Sequence, residues 1–480
     1  MPEVKIVITG AGVVSPIGLG HSDFFDALLD DRSGVRLLSE RDDDGPKPPP
    51  GFDEPDSSFG EFKGVWVGAP VIGFDPKKFV TPRKAIKVMC REIQLTFAAA
   101  MMAVENADLA DDLPANDEGR IRPSEIGTVF GSEMFYGPPT ELADAFQLCL
   151  EEDGEMNESQ FGEAAMKKIM PLWMLKYLPN MPACHVGIAI NAHGPNNSIL
   201  QGDTSGSAAL IETISCIQRG AAKWILSGGT GTRINGTRMN YRNDLPVASI
   251  ADPVTTSSRP YDVQAKGVVG GEAAVAFLVE SEETANARGA KPLAEIVCAV
   301  SRFIASGGMS MRIRSSENRP INPGELSPGE FGSTGSFKPP AIRGSVAAMS
   351  LAIKSCLKKS KIAVDQIGLV VGHAMGDPMI DEQERIALTE SLPGVPVVAP
   401  IEKVGHTGAA SGSIELLVAV MALSRGVIPP SFMLANVSES SNGPAFERQP
   451  SRPLEKEYAL CLSHSPEGGA VATLLKRMND

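Results

Sequence analysis

Residues 194–229, GPNNSILQGDTSGSAALIETISCIQRGAAKWILSGG, decide how the rest of the chain is read. They spell a loop, a tight turn, a helix, and a short buried strand ending in Gly228 and Gly229. Leu210, Ile211, Ile214 and Ile217 recur at the helical spacing of three and four, with Asp203 and Thr204 just ahead of the run. A helix that begins there directs unpaired N–H groups at whatever Asp203 faces. Asp203 is therefore either a reactive group or a helix cap, and the residues alone leave both open.

The chain has 480 residues, enough for one large α/β unit or for two or three domains. Its net charge of −14 arises from 44 basic and 58 acidic residues, with no basic block. That balance argues against nucleic-acid partners and against docking on an anionic membrane. No apolar run approaches the roughly 20 residues that span a bilayer. MPEVKIVITGAG lacks the basic start and long apolar stretch of a signal peptide. The seven cysteines are scattered, odd in number and without a CxxC pair, which suits reduced thiols in a cytoplasm better than disulfides or zinc.

Residues 4–9, VKIVIT, read as a buried strand followed by the turn GAGVVSPIG. Gly10 and Gly12 invite a dinucleotide-binding reading, but Ser15 holds the third glycine position, and a plain strand-to-helix turn is the competing account. Ser22 is the expected cap of the next helix, ahead of Phe24, Phe25 and Leu28. Residues 39–60 and 305–342, rich in Pro, Gly, Asp or Ser, read as exposed loops, the second long enough to suggest a function. A largely buried helix is expected over 83–107, a strand over 126–132, and an insertion or surface helix around 151–163. Further on come a strand at Val275–Val279, a short helix from Glu282 closed by Gly289, a helix over 344–358 and a strand over 367–373. The strand VPVVAP, a helix over 411–424 and a strand pair around 457–475 complete the pattern. This alternation predicts an α/β fold with a mainly parallel sheet.

An internal repeat is visible. Ser205-Gly206-Ser207 precedes Arg219-Gly220 at the same spacing by which Ser411-Gly412-Ser413 precedes Arg425-Gly426. Each segment follows a polar residue in a glycine-rich turn, Asp203 in one and His406 in the other. A duplicated α/β half, with two equivalent helices meeting near the site, accounts for both.

Among the six histidines, His373 (VVGHAMGDP) and His406 (EKVGHTGAASG) stand in glycine-flanked turns after apolar strands. Such turns let backbone approach a ligand closely and are where α/β proteins place reactive groups. A purely structural turn histidine is the equal alternative. Asp377 and Asp381 follow His373 without convincing metal-ligand spacing, so no metal is expected. No GxSxG elbow makes Ser205 or Ser207 a hydrolase nucleophile.

Taken together, these motifs resemble the β-ketoacyl-acyl carrier protein synthases of the thiolase superfamily over nearly the full length. The carriers are IVITGAGVVSPIG, Gly194-Pro195-Asn196 through Gly228-Gly229, RPYDVQAKGVVGGEAAVAFLVE, HAMGDPMIDEQE and GHTGAASG. The resemblance implies a five-layered αβαβα fold of two similar halves, here 1–285 and 286–480, usually dimeric. It implies no cofactor beyond the phosphopantetheine that carries the substrate. It also implies that His373 and His406 are the two histidines that assist decarboxylation and stabilise an enolate, with Asp381 and Glu384 as the acidic positions after the first.

The departures bear on function. Asp203 stands where the family has its acyl-accepting cysteine, and an acyl-aspartate would be an anhydride that water or a thiol discharges. Cys216, thirteen residues along the same helix, lies roughly 20 Å away. The family's lysine falls on Ile401, with Lys403 two residues nearer. Its two pantetheine-contacting threonines are Met375 and Asp377, and its gating phenylalanine is Glu467. These differences make ordinary condensation an unsuitable reading and leave two others. One is an enzyme of fatty acid or polyketide synthesis that decarboxylates malonyl-carrier protein, or does related enolate chemistry, without an acyl-enzyme. The other is a chain-length-factor-like partner of a cysteine-bearing synthase. The expected partners are acyl carrier protein and a second subunit, identical or cysteine-bearing.

Overall fold

The computed structural model describes residues 4–38, 67–137, 140–235, 246, 248–306, 344–431, 445–446 and 450–478. The expected loops at 39–60 and, beyond its first two residues, 305–342 lie outside the described residues.

The first half runs β1 (Ile6–Ser15), α1 (His21–Leu29), α2 (Arg91–Asn106), β2 (Ile126–Gly131), α3 (Met181–Ala189), β3 (Asn196–Ile199), α4 (Ser205–Gln218), β4 (Trp224–Thr232) and β5 (Gly270–Ser281). The second half follows as β6 (Ala294–Phe303), α5 (Val346–Ser360), β7 (Ile367–Val371), α6 (Pro378–Ser391), β8 (Pro396–Val398), α7 (Ser411–Arg425), β9 (Tyr458–His464) and β10 (Gly469–Lys476). Strand order is β3-β2-β4-β5-β1 in the first and β8-β7-β9-β10-β6 in the second, matching strand for strand. The halves join where Ile6–Ile8 pairs antiparallel with Ala294–Ile296. The repeat seen in two short Ser-Gly-Ser segments thus extends through the whole fold.

Helices α2 and α3 pack on the first set of strands and α5 on the second, with α6 laid against α5; α4 and α7 lie together at the centre. This is the five-layered αβαβα arrangement. The middle layer depends on small residues: a Cβ on Gly206 would collide with Ser413 Oγ, and one on Gly412 with Ser207 Oγ. The contact is reciprocal because the two segments are copies. Helix α7 is apolar all round because it touches strands of both halves. Gly408–Arg425 is long and apolar enough to cross a bilayer, yet 89% of that window is buried inside the fold.

Several expectations need correction. The GAG segment is no turn: β1 continues through Gly10 and Gly12 to Ser15. Both glycines lie against α2, where a Cβ would come within 2.8 Å of Ala107 Cβ or 2.7 Å of Ala103 N. Close helix packing, rather than a phosphate, explains them. Helix α1 begins at His21 after Gly20, with no side-chain cap from Ser22. The expected helix over 83–107 is a 3-10 segment, Arg83–Val88, followed by α2. The sheet is mixed: β2 runs parallel to β3 and β4, but β5 is antiparallel to β4 and β1. Its counterpart β10 returns from β9 through a four-residue turn, 465–468, which permits only antiparallel pairing.

Candidate active site

The turn Gln201-Gly202-Asp203 brings the chain onto α4. Gly202 adopts φ +60°, and the turn is locked by Ser205, whose Oγ donates to Gly202 O at 2.6 Å and accepts from Gln201 N–H at 2.8 Å. No side chain caps α4, so Asp203 is not its cap. Instead the buried carboxylate takes the Arg233 guanidinium on Oδ1 at 2.5 Å and faces His406 Nε2 with Oδ2 at 3.6 Å. Burial alone would raise its pKa. Arg233 and, behind it, His406 and His373 outweigh that and hold the carboxyl well below the usual carboxylate range.

His373 follows β7 and is fully buried, with its backbone N–H donating to Glu384 Oε1 at 2.9 Å. Its Nδ1 meets Glu415 Oε1 at 2.5 Å, and Nε2 has no hydrogen-bond partner among the described residues. Burial pushes its pKa down, but the Glu415 carboxylate, reinforced by Asp203 and Glu384, lifts it to about 9. His373 is therefore an imidazolium at neutral pH, with one N–H engaged and the other aimed into the site. His406 lies 5.6 Å away, ring centre to ring centre. Its backbone is pinned by Val269 O and Gly271 N, and its Nδ1 accepts the Gly408 N–H at 3.3 Å. That bond places the proton of a neutral ring on Nε2, the atom turned toward Asp203.

Two acids predicted to follow His373 hold its turn in shape. Glu384 accepts from the His373 N–H on Oε1 and from the Ala374 N–H on Oε2, and His464 Nε2 lies 3.2 Å from Oε2. Asp381 accepts from Tyr261, Met375 and Gly376. Burial pushes Asp381 up to about 7, against the pull of those N–H groups. For Glu384 burial is outweighed by His464 and His373, which lower it.

The remaining expected residues are distributed differently. Lys403 pairs with Asp31 and, at 3.3 Å, with Glu402, so its charge is engaged away from Asp203. Met375 is buried with Val268 and Ile380. Asp377 caps α6 by accepting from Met379 N–H. Glu467 does face the cavity, a pocket of about 600 Å³ also lined by Glu133, Met134, Asp203, Arg233, Arg302 and Phe303. Sequence reasoning missed Arg233, Glu415 and His464. Glu415 carried a signal, a lone acid inside the apolar run SGSIELLVAV; Arg233 and His464 carried none.

Asp203, His373 and His406 offer atoms within 4.8 Å of one another, a spacing a metal could use. The chemistry of the set points elsewhere. Arg233 occupies one Asp203 oxygen, and Gly408 directs the His406 proton onto the nitrogen a metal would need. Two N–H donors beside a neutralised carboxylate suit an oxygen that gains negative charge.

Comparison with known proteins gives the chain its family. Residues 3–285 match the model of the beta-ketoacyl synthase N-terminal domain, and residues 330–435 that of the C-terminal domain. The chain belongs to the β-ketoacyl synthase family. It is 26% identical over 484 residues to the 3-oxoacyl-[acyl-carrier-protein] synthase 2 of Vibrio cholerae serotype O1, covering 100% of both chains. It is 25% identical to a putative polyketide beta-ketoacyl synthase 1 of Streptomyces halstedii, covering 89% of this chain and 87% of that one. Among solved structures, a beta-ketoacyl synthase from Burkholderia phymatum superposes with TM-score 0.75 at 21% identity, covering 99% and 100%. The ishigamide ketosynthase/chain length factor gives 0.72 at 18% identity, covering 99% and 100%. This β-ketoacyl synthase relative is thus a ketosynthase-like protein of fatty acid or polyketide synthesis with a thiolase-type fold.

Proposed function

We propose that this family member decarboxylates a malonyl thioester, presented on the phosphopantetheine of an acyl carrier protein, without forming an acyl-enzyme. The observation that carries the reading is His373: Nδ1 is held by Glu415 at 2.5 Å, while the buried Nε2 has no hydrogen-bond partner among the described residues. A buried donor left unmatched is costly unless a ligand completes it. With the thioester oxygen accepting from His373 Nε2–H and His406 Nε2–H, the bond from Cα to the carboxylate breaks. Its electron pair moves into the enolate, and carbon dioxide leaves. A proton then adds at Cα and yields the acetyl thioester. No electron is transferred and no cofactor is required.

Incubating the protein with malonyl-carrier protein should release carbon dioxide, and His373→Ala should reduce the rate by roughly 100-fold or more, the usual cost of removing one oxyanion donor. No release above the blank refutes the proposal. A second reading, a chain-length-factor-like subunit beside a cysteine-bearing synthase, draws support from Asp203 at the acyl-acceptor position and from the likeness to a ketosynthase/chain length factor fold. Stable co-purification with a cysteine-bearing homologue, together with silence in the carbon dioxide assay, would favour it.

A further inference from the structure

We infer that Arg233 is a positioning residue that makes an anion at 203 compatible with enolate chemistry at the histidines. The assignment rests on the decarboxylase reading and goes beyond it, because nothing in the family motifs points to residue 233. The carboxylate of Asp203 stands 3.6 Å from His406 Nε2, so any oxygen that accepts from that nitrogen lies close to a buried negative charge. Left alone, that charge would oppose the enolate.

Arg233 is placed to cancel it. It follows β4 directly, and its backbone N–H donates to Gly271 O at 2.8 Å, which ties the residue to the strand beside the His406 turn. The guanidinium is nearly buried and engages Asp203 Oδ1, leaving Oδ2 toward His406. Among the described residues, the titratable and charged groups that meet the Asp203 carboxylate are Arg233 after β4, His406 ahead of α7 and His373 after β7, with Glu133 after β2 facing the same cavity. Glu133 and Arg233 converge at Gly408, where a Cβ would sit 2.8 Å from Glu133 Oε1 and 3.1 Å from Arg233 Nε. The guanidinium is held by the Asp203 carboxylate, with Glu133 nearby on the Gly408 side. It leaves the two histidine N–H groups as donors instead of drawing them onto Asp203.

The test is a double-variant cycle read by carbon dioxide release from malonyl-carrier protein. Arg233→Met should lower kcat roughly 10- to 100-fold with little change in KM, because the lost compensation acts on the charge that develops in the reaction. The defect should shrink as pH falls, since a carboxyl deprived of its guanidinium protonates more readily and the adverse charge disappears. Arg233→Met/Asp203→Asn should recover most of the rate and lose that pH dependence. A merely structural role predicts neither the rescue nor the new acid limb. An undiminished rate in Arg233→Met, or a defect that Asp203→Asn does not relieve, overturns the assignment while leaving the decarboxylase reading intact. No release from the wild-type protein overturns both. Should Arg233→Met fail to fold, the double variant is compared with Asp203→Asn alone. Equal rates support the inference, and a further loss refutes it, because the guanidinium would then act on something other than Asp203.

Discussion

Replacing Glu415 by glutamine removes one charge from the centre of the site and almost no volume. In the wild type the His373 pKa is lifted from 6.5 to about 9, with the Glu415 carboxylate the largest raising influence and burial opposing it. A group whose folded pKa lies above its unfolded value binds its proton more tightly in the folded state. Its contribution is full below pH 6.5 and is lost as pH climbs through 9. At about 1.4 kcal/mol per pH unit, the interval corresponds to about 3 kcal/mol. Urea unfolding at half-unit steps from pH 6 to 10 should show wild-type stability falling by that order. Asp381 and Glu92, both raised by burial to about 7, add their own losses in the lower part of the range. The difference between the two proteins above pH 7.5 therefore isolates His373. Glu415→Gln should lack the His373 loss between pH 7.5 and 9, and the alkaline limb of carbon dioxide release should move to lower pH in the same variant. Ser463, which donates to Glu415 Oε2 at 2.5 Å, can still donate to the amide oxygen, so the local packing is retained. If both proteins lose stability in parallel between pH 7.5 and 9, His373 is not the titrating group and the imidazolium assignment is wrong.

Three further outcomes follow from the packing and the turn. Gly206→Ala forces a methyl against Ser413 Oγ in the middle layer and should cost about 1–3 kcal/mol in unfolding experiments. Asp381→Ala strands the N–H groups of Tyr261, Met375 and Gly376 and should lower stability by roughly 3 kcal/mol or more, measured by the shift of the urea midpoint. Asp203→Cys places a thiol beside Arg233 at the N-terminus of α4. Residue 203 should then be alkylated by iodoacetamide at pH 6 faster than any of the seven native cysteines, as read by peptide mass spectrometry.

The fold was largely legible because its signals are repetitive and local. Apolar runs such as IGLVV and helices such as SGSIELLVAVMALSR state their own burial, and the duplicated Ser-Gly-Ser segments announced the two halves. Errors arose where one residue type serves two geometries. Gly10 and Gly12 read as a turn because glycine favours turns, yet they serve a strand under close helix packing, a contact made with α2 nearly ninety residues later. Likewise Lys403 and Met375 could be placed by position in a motif, but the direction of a side chain depends on distant partners, Asp31 for one and Val268 for the other. Arg233 shows the limit most clearly. It sits thirty residues from Asp203 with no spacing to link them, and only the pairing of β2, β4 and β5 brings the two together.

The charges of the site fit one another only when considered as a set. Asp203, Glu384 and Glu415 are buried acids around His373 and His406, and Arg233 is a permanent cation that engages Asp203. The carboxylates of Glu415, Asp203 and Glu384 raise the proton affinity of His373 in a low-dielectric interior. His373 is lifted to about 9, and burial lifts Asp381 nearby to about 7. The site therefore rests in a proton-loaded state. A cysteine at 203 would be served by a basic histidine that accepts or shares a proton during acyl transfer, and a proton-loaded site is poorly suited to that task. For holding a thioester oxygen as it becomes an enolate, the same state is favourable, since the donor is already charged and no reorganisation is needed at the moment of reaction. Asp203 and Arg233 form one buried ion pair in this site. Together they keep one anion neutralised at the mouth of α4 while the remaining acids keep His373 charged.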